Sequence, residues 1–69
     1  MTSTISPQVR MANDIAVQFE HKDADEAAEE IAAHIRMFWD PRMKSELLRL
    51  AGSEPSSFEP TALAAARRL

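Results

Sequence analysis

Large apolar side chains are few in this sequence, and their number limits what the chain can fold into. Its 69 residues include 31 apolar positions, but 12 of these are alanine and only 19 carry a larger side chain. Ordering a chain of this length costs roughly 100 kcal/mol, and burial sums for such small chains come out near zero. We therefore expect one small domain that gains stability from an oligomer or a larger partner.

The residue types that are missing exclude several kinds of site. Without cysteine the chain can form no disulfide, thiolate zinc site, iron–sulfur cluster or thiol nucleophile. A single glycine cannot build the phosphate-binding loops of nucleotide folds, which need several glycines at fixed spacing. The sequence also has no signal-peptide-like apolar run and no stretch of 18 apolar residues, so we expect a cytoplasmic protein that does not bind membranes.

Helix start and stop signals predict an all-α fold, a small three-helix bundle-like domain over residues 1–52. The predicted helices span about residues 7–21, 24–39 and 41–51. The predicted N-terminal caps are Ser6, then Asp23 or Asp25, then Asp40. Gly52 is the predicted left-handed C-terminal cap of the third helix. Residues 53–69 are predicted to form a proline- and serine-rich linker and a short helix at about 61–68.

Apolar spacing assigns one face of each predicted helix to the core. The first helix presents Val9, Met11, Ala12, Ile15, Ala16 and Phe19. The second presents Ala24, Ala27, Ala28, Ile31, Ala32, Ile35, Phe38 and Trp39. The third presents Met43, Leu47, Leu50 and Ala51. Val17 and Met37 lie opposite these faces, and we predict that both are exposed.

Candidate catalytic and metal-binding residues are sparse. Glu30 and His34 are four residues apart and could contact one ion, but a metal site in a helical bundle needs a second such pair, which is missing. Acid–base catalysis needs a cavity that excludes water, and a core this small has little room for one. We therefore expect no metal, no cofactor and no catalytic residue in this chain.

The stretch MFWDPRM, residues 37–43, is the most distinctive part of the sequence. Trp39 can either close one end of the helix pair or dock into a partner. Arg42 and Met43 favour docking, because tryptophan, arginine and methionine are enriched at interface centres. Exposed apolar side chains at Val17 and Met37 favour the same interpretation.

Nucleic acid is a weaker candidate for the partner. Residues 1–35 hold seven acids against two bases, and residues 36–69 hold six bases against four acids. The resulting surplus of two positive charges in the second half is too small to predict a nucleic-acid surface. A helix-turn-helix module at the Asp40–Pro41 corner is therefore a minor alternative.

Two stretches carry a family resemblance. Residues 10–16, RMANDIA, followed by Phe19, and residues 34–43, HIRMFWDPRM, resemble the delta subunit of soluble, NAD-dependent, molybdenum-containing formate dehydrogenases. The resemblance covers about residues 8–48. It implies a complex whose alpha subunit holds a molybdenum (or tungsten) bis-pterin guanine dinucleotide cofactor and iron–sulfur clusters. It also implies a beta subunit with FMN and NAD, a gamma subunit with a further iron–sulfur cluster, and a delta subunit without cofactor.

The resemblance and the residues together predict a non-catalytic accessory subunit of this cytoplasmic complex. We expect it to bind the catalytic alpha subunit and to support assembly or stability of the active complex. The alternative is a transient maturation chaperone that aids insertion of the molybdenum cofactor. The predicted partner-binding residues are Arg10, Asn13, Val17, His34, Met37, Trp39, Arg42 and Met43.

Overall fold

The computed structural model describes residues 6–69, and this part of the chain is built from α-helices. The helices within it are α1 (Pro7–Gln18), α2 (Ala24–Phe38), α3 (Pro41–Ser53) and α4 (Pro60–Ala66), and one 3₁₀ turn (Pro55–Ser57) joins α3 to α4. The predicted all-α fold with a short C-terminal helix is confirmed. The helices form a small bundle with a radius of gyration of 11.1 Å.

Aspartate caps define where α2 and α3 begin. The Asp23 carboxylate accepts a hydrogen bond from the Asp25 backbone N–H at 3.3 Å, so Asp23 is the cap of α2. The Asp40 carboxylate accepts from the Met43 N–H at 2.8 Å, and Pro41 occupies the first position of α3. Both caps satisfy amides that have no partner inside the helix, as the sequence predicted.

The first helix differs from its prediction at both ends. Ser6 precedes α1, but its hydroxyl donates to the Gln8 side-chain oxygen at 2.8 Å and caps no backbone amide. At the other end α1 stops at Gln18 instead of residue 21. Residues 19–22 form a turn, closed by the Lys22 N–H donating to the Phe19 carbonyl at 3.0 Å, because the chain must reverse before Asp23.

The hydrophobic core is continuous but contains few large side chains. Among the described residues, the largest side chains with less than 2% exposure are Val9, Ile31, Ile35 and Leu47. Trp39 and Phe58 add two nearly buried aromatic rings. Alanines fill much of the remainder: Ala12, Ala16, Ala28, Ala32, Ala51, Ala62, Ala65 and Ala66. The core therefore depends on close approach of the helix backbones.

The C-terminal segment belongs to this core, which differs from the predicted linker and tail. The 3₁₀ turn carries Phe58 into the core, where only 7% of it is exposed. The contact between α4 and α2 is the most extensive contact between any two of the described elements. The buried residues of α4 are alanines, so the two backbones can approach closely, and this explains why a helix with few large apolar residues is held in place.

Four predicted positions need correction. Met11 is 42% exposed, because it lies at the edge of the apolar face of α1. Ala24 and Phe38 are exposed because they are the first and last residues of α2, beyond the helices that cover its middle. Gly52 is not a left-handed cap: α3 continues to Ser53, and no described residue has a positive φ.

Candidate functional site

The corner between α2 and α3 orients neighbouring aromatic residues in opposite directions. Phe38 is the last residue of α2, and Trp39 follows it with extended backbone geometry. This geometry turns the Trp39 ring into the core, where 6% of the residue is exposed, and leaves Phe38 69% exposed. Asp40 and Pro41 then begin α3, so the corner is held by a helix end, a cap and a buried ring.

An exposed apolar surface lies at the C-terminal end of α2. Met37 and Phe38 are 76% and 69% exposed, the highest values among the large apolar residues of the described chain. The His34 ring lies against Phe38 with its centroid 4.8 Å from that of the phenyl ring. Arg42 is also exposed and follows Phe38 by four residues, which span at most about 14 Å. We call His34, Met37, Phe38 and Arg42 the corner patch.

The charged side chains near the corner patch are mostly basic. Within residues 33–45 there are three Lys or Arg residues and one acid. The Arg36 guanidinium donates to the Arg68 backbone carbonyl at 3.3 Å, and the Lys44 ammonium donates to the Arg36 carbonyl at 3.5 Å. The acid, Asp40, caps α3. The corner patch therefore lies in a region whose positive charge is not neutralised by carboxylates of the described chain.

The opposite end of α2 is acidic and holds its own cations. Lys22 binds Glu30 at 3.1 Å, and this hydrogen bond raises the pKa of the Lys22 ammonium. Arg68 bridges Asp25 at 3.2 Å and Glu29 at 2.8 Å, which ties the end of the chain to α2. The ends of α2 are about 21 Å apart, so the molecule carries opposite charge at two separated places.

A further ion pair lies on the polar side of α3. Arg49 donates to both carboxylate oxygens of Glu46, at 3.1 and 2.6 Å. This contact lowers the pKa of the Glu46 carboxyl and raises the pKa of the Arg49 guanidinium. Both groups are solvent-exposed, so the pair adds little to stability.

The predicted binding residues of α1 share one side of that helix. Arg10, Asn13 and Val17 follow each other by three and four residues, the spacing of neighbours on a helix surface. Arg10 and Val17 are exposed. Asn13 is half-buried and its amide links α1 to the segment before α4: it donates to the Ser57 carbonyl at 3.0 Å and accepts from the Glu59 N–H at 2.8 Å.

Asn13→Ala is expected to lower the free energy of unfolding by about 1–2 kcal/mol. The reason is that a backbone carbonyl and a backbone amide both lose their partner. Thermal or urea unfolding followed by circular dichroism measures this. Asp14→Ala is the control, since Asp14 is an exposed neighbour on the same helix. Equal stability of Asn13→Ala and wild type would contradict the linking role of the amide.

The eight predicted binding residues are thus divided among three places. His34, Met37 and Arg42 are in the corner patch, and Arg10, Asn13 and Val17 lie on α1. Trp39 and the half-buried Met43 pack in or against the core, so little of either is available at the surface. Phe38 was not among the predicted binding residues, because its angular position favours the core. Its location at the last position of a helix, before a proline corner, is the signal that could have identified it.

Among residues 6–69 no three His, Asp or Glu side chains converge into a group that could hold a metal ion. None of the helices in this part of the chain has the length and hydropathy needed to cross a membrane. The feature of this structure that remains to be explained is the corner patch.

The fold and the patch define a class of protein, a very small all-helical chain with an exposed aromatic and basic corner. Residues 8–66 match the family model of the NADH-dependent formate dehydrogenase delta subunit FdsD. The chain belongs to this family, and the resemblance drawn from two motifs is confirmed. The match also extends beyond those motifs through α4, consistent with a core that includes the C-terminal segment. No curated protein and no solved structure matches the chain.

Proposed function

We propose that this chain is a non-catalytic subunit that binds the catalytic subunit of a cytoplasmic formate dehydrogenase and supports assembly or stability of the complex. Family membership supports the kind of complex. The observation that carries the binding role is the exposed pair Met37 and Phe38, with exposed Arg42 four residues after Phe38 at the capped corner. Contiguous exposed apolar surface with charged groups around it is a feature of protein–protein contact sites.

The small core supports the same proposal. Below about 70 residues one hydrophobic core rarely supplies more than about 3–5 kcal/mol, so a partner adds a large fraction of the total stability. A ligand present at 100 times its Kd adds about 2.7 kcal/mol to the stability of the folded state. By the same linkage the chain stabilises whichever assembled state of the complex binds it.

The cofactors are proposed to lie in the partner subunits. The family resemblance implies a molybdenum bis-pterin guanine dinucleotide, iron–sulfur clusters, FMN and NAD there, and they supply the redox chemistry of the complex. The residues of this chain act by binding alone. In this proposal their contribution is to hold the catalytic subunit in its assembled form.

Co-expression of the complex with and without this chain tests the proposal. Omission of the chain is expected to lower the yield of intact complex or its molybdenum content, and the purified 69-residue chain is expected to turn over no formate. Formate-dependent NADH production by the isolated chain would reject the proposal. Stoichiometric co-purification with the mature enzyme supports a permanent subunit, whereas presence only in immature complexes would favour the alternative of a transient maturation chaperone.

Oxidation of methionines by hydrogen peroxide is expected to report the contact. In the isolated chain Met37 should be oxidised faster than the half-buried Met43, because oxidation follows exposure. In the complex Met37 should be protected at least about tenfold, while Met11, 42% exposed on α1, serves as the reference within the same molecule. Peptide mass spectrometry measures the rates. Unchanged oxidation of Met37 in the complex would exclude it from the interface.

A further inference from the structure

The cations of the described chain fall into two groups, and the difference points to what covers the corner patch. Lys22, Arg49 and Arg68 each hold at least one carboxylate within residues 6–69. Arg36 and Lys44 bind only backbone carbonyls in the same part of the chain. Arg42 makes no hydrogen bond or ion pair with any described residue. Arg10 and Arg67 also lack an ion pair with a described carboxylate, and the cations without carboxylates therefore include Arg42 of the patch and the two other basic residues within residues 33–45.

The acid at the corner does not neutralise these charges. The Asp40 carboxylate accepts the Met43 N–H at the start of α3, and it forms no ion pair with Arg42 within the described residues. An exposed arginine four residues from exposed aromatic and thioether side chains combines residue types that are enriched at interface centres. Burying Arg42 in an interface without a carboxylate would cost free energy, so a fitting partner must supply one.

From this arrangement we propose that the occupant of the corner patch is a protein surface with an apolar pocket for Phe38 and Met37, flanked by Asp or Glu side chains. Arg42 binds a carboxylate of that surface, and Arg36 and Lys44 attract it at longer range. This inference rests on the proposed function, because it describes the contact surface of the subunit that the chain binds. It adds the chemistry of that surface and the residues that recognise it.

The two halves of the proposal have separate variants. Phe38→Ser removes the aromatic side chain, and Leu48→Ser is its control because Leu48 is also a partly exposed apolar residue, on α3. Arg42→Glu reverses the charge at the patch, and Arg67→Glu is its control because it makes the same change in net charge at an exposed site on the C-terminal segment. All four positions are exposed, so circular dichroism should show folded chains.

Binding of each variant to the complex lacking this chain is measured by surface plasmon resonance at several salt concentrations. Phe38→Ser should raise the Kd at least about 30-fold, as expected for a central aromatic residue, while Leu48→Ser should change it less than about threefold. Arg42→Glu should raise the Kd at least about 30-fold, mainly through faster dissociation, because it replaces a buried charge pair with two like charges. It should also reduce the salt dependence of association, since it reverses a charge that attracts the acidic surface. Arg67→Glu should leave the salt dependence close to that of wild type.

Failure of wild type to bind any subunit would overturn the proposed function. If wild type binds and Phe38→Ser binds equally well, the corner patch is not the contact surface, although the proposed function still stands. If Phe38→Ser weakens binding but Arg42→Glu does not, the proposal that acidic side chains of the partner flank the pocket is wrong. Binding of the wild-type chain to phosphatidylserine vesicles or to a second copy of itself, abolished by the same variants, would overturn the choice of occupant.

A cross-linking experiment identifies the acidic residue directly. Carbodiimide joins amines to carboxylates that are in contact, and arginine does not react, so Arg42→Lys makes the site reactive while keeping its charge. We expect a new cross-link from the amine introduced by Arg42→Lys to an Asp or Glu of the partner, absent in wild type. Cross-links only to this chain's own carboxylates would contradict the proposed contact.

Discussion

Trp39→Ala is expected to leave most of the isolated chain unfolded at 37 °C. The ring is 6% exposed and packs in the core at the end of α2, and truncation of a buried tryptophan costs about 3–5 kcal/mol. A domain of this size has a total stability of about the same magnitude. Loss of helical circular dichroism at 37 °C, with partial recovery on cooling, is the measurement.

The neighbouring residue provides the control for this prediction. Phe38→Ala removes an aromatic ring one position earlier, but that ring is 69% exposed. It should change the free energy of unfolding by less than about 0.5 kcal/mol, as surface substitutions usually do. Equal destabilisation by the two substitutions would mean that the structure assigns the wrong ring to the core.

Ala32→Asp is expected to have the second largest effect. Ala32 is 0% exposed on α2, and an unpaired carboxylate at such a site costs several kcal/mol. Ala33→Asp is the matched control, since Ala33 is the next residue of the same helix and is exposed. The control introduces the same charge and loses nearly the same helix propensity. The difference in free energy of unfolding between the two variants therefore measures the cost of burying the carboxylate.

The Ala32→Asp variant should also acquire a pH dependence. Burial raises the pKa of the introduced carboxyl above its ordinary value of about 3.9, so the folded state binds a proton more readily than the unfolded state. Stability then falls as pH rises above 4 through the raised pKa, and it returns as pH is lowered. Urea midpoints between pH 4 and 8, relative to Ala33→Asp, test this; parallel curves would contradict burial of position 32.

Capping residues and apolar periodicity predicted the helices well, because both depend on contacts within a single helix. Asp23 and Asp40 cap α2 and α3 as expected, since each carboxylate bonds an amide within three residues. Helix periodicity also placed Val17 and Met37 at the surface. These predictions depend on the chain's own geometry and not on the arrangement of its neighbours.

The errors arose where a neighbouring element decides the outcome. Periodicity gives the direction of a side chain around the helix, but not whether another helix reaches that level, so Phe38 and Met11 were assigned to the core. Gly52 has no requirement for a left-handed turn because α3 continues past it. Phe58 is buried because α4 returns along α2, a long-range contact that proline and serine composition does not indicate.

The candidate site could be predicted only in part, for the same reason. Met37 and Arg42 were predicted from residue type and their position off the apolar faces, and His34 was predicted from the family motif, which includes all three. The role of Asn13 was not predicted, because its partners Ser57 and Glu59 are more than 40 residues away in sequence. The tertiary structure therefore distinguishes the residues that hold the fold together from those that remain exposed candidates for binding.

The central claim is that the surface of this chain binds a larger subunit. Isothermal titration of the purified 69-residue chain into the formate dehydrogenase complex prepared without it tests this most directly. The account predicts one chain per catalytic subunit, a Kd of about 1 µM or tighter and a negative heat-capacity change from burial of apolar surface. Absence of binding at about 100 µM, from a chain shown to be folded, would contradict it.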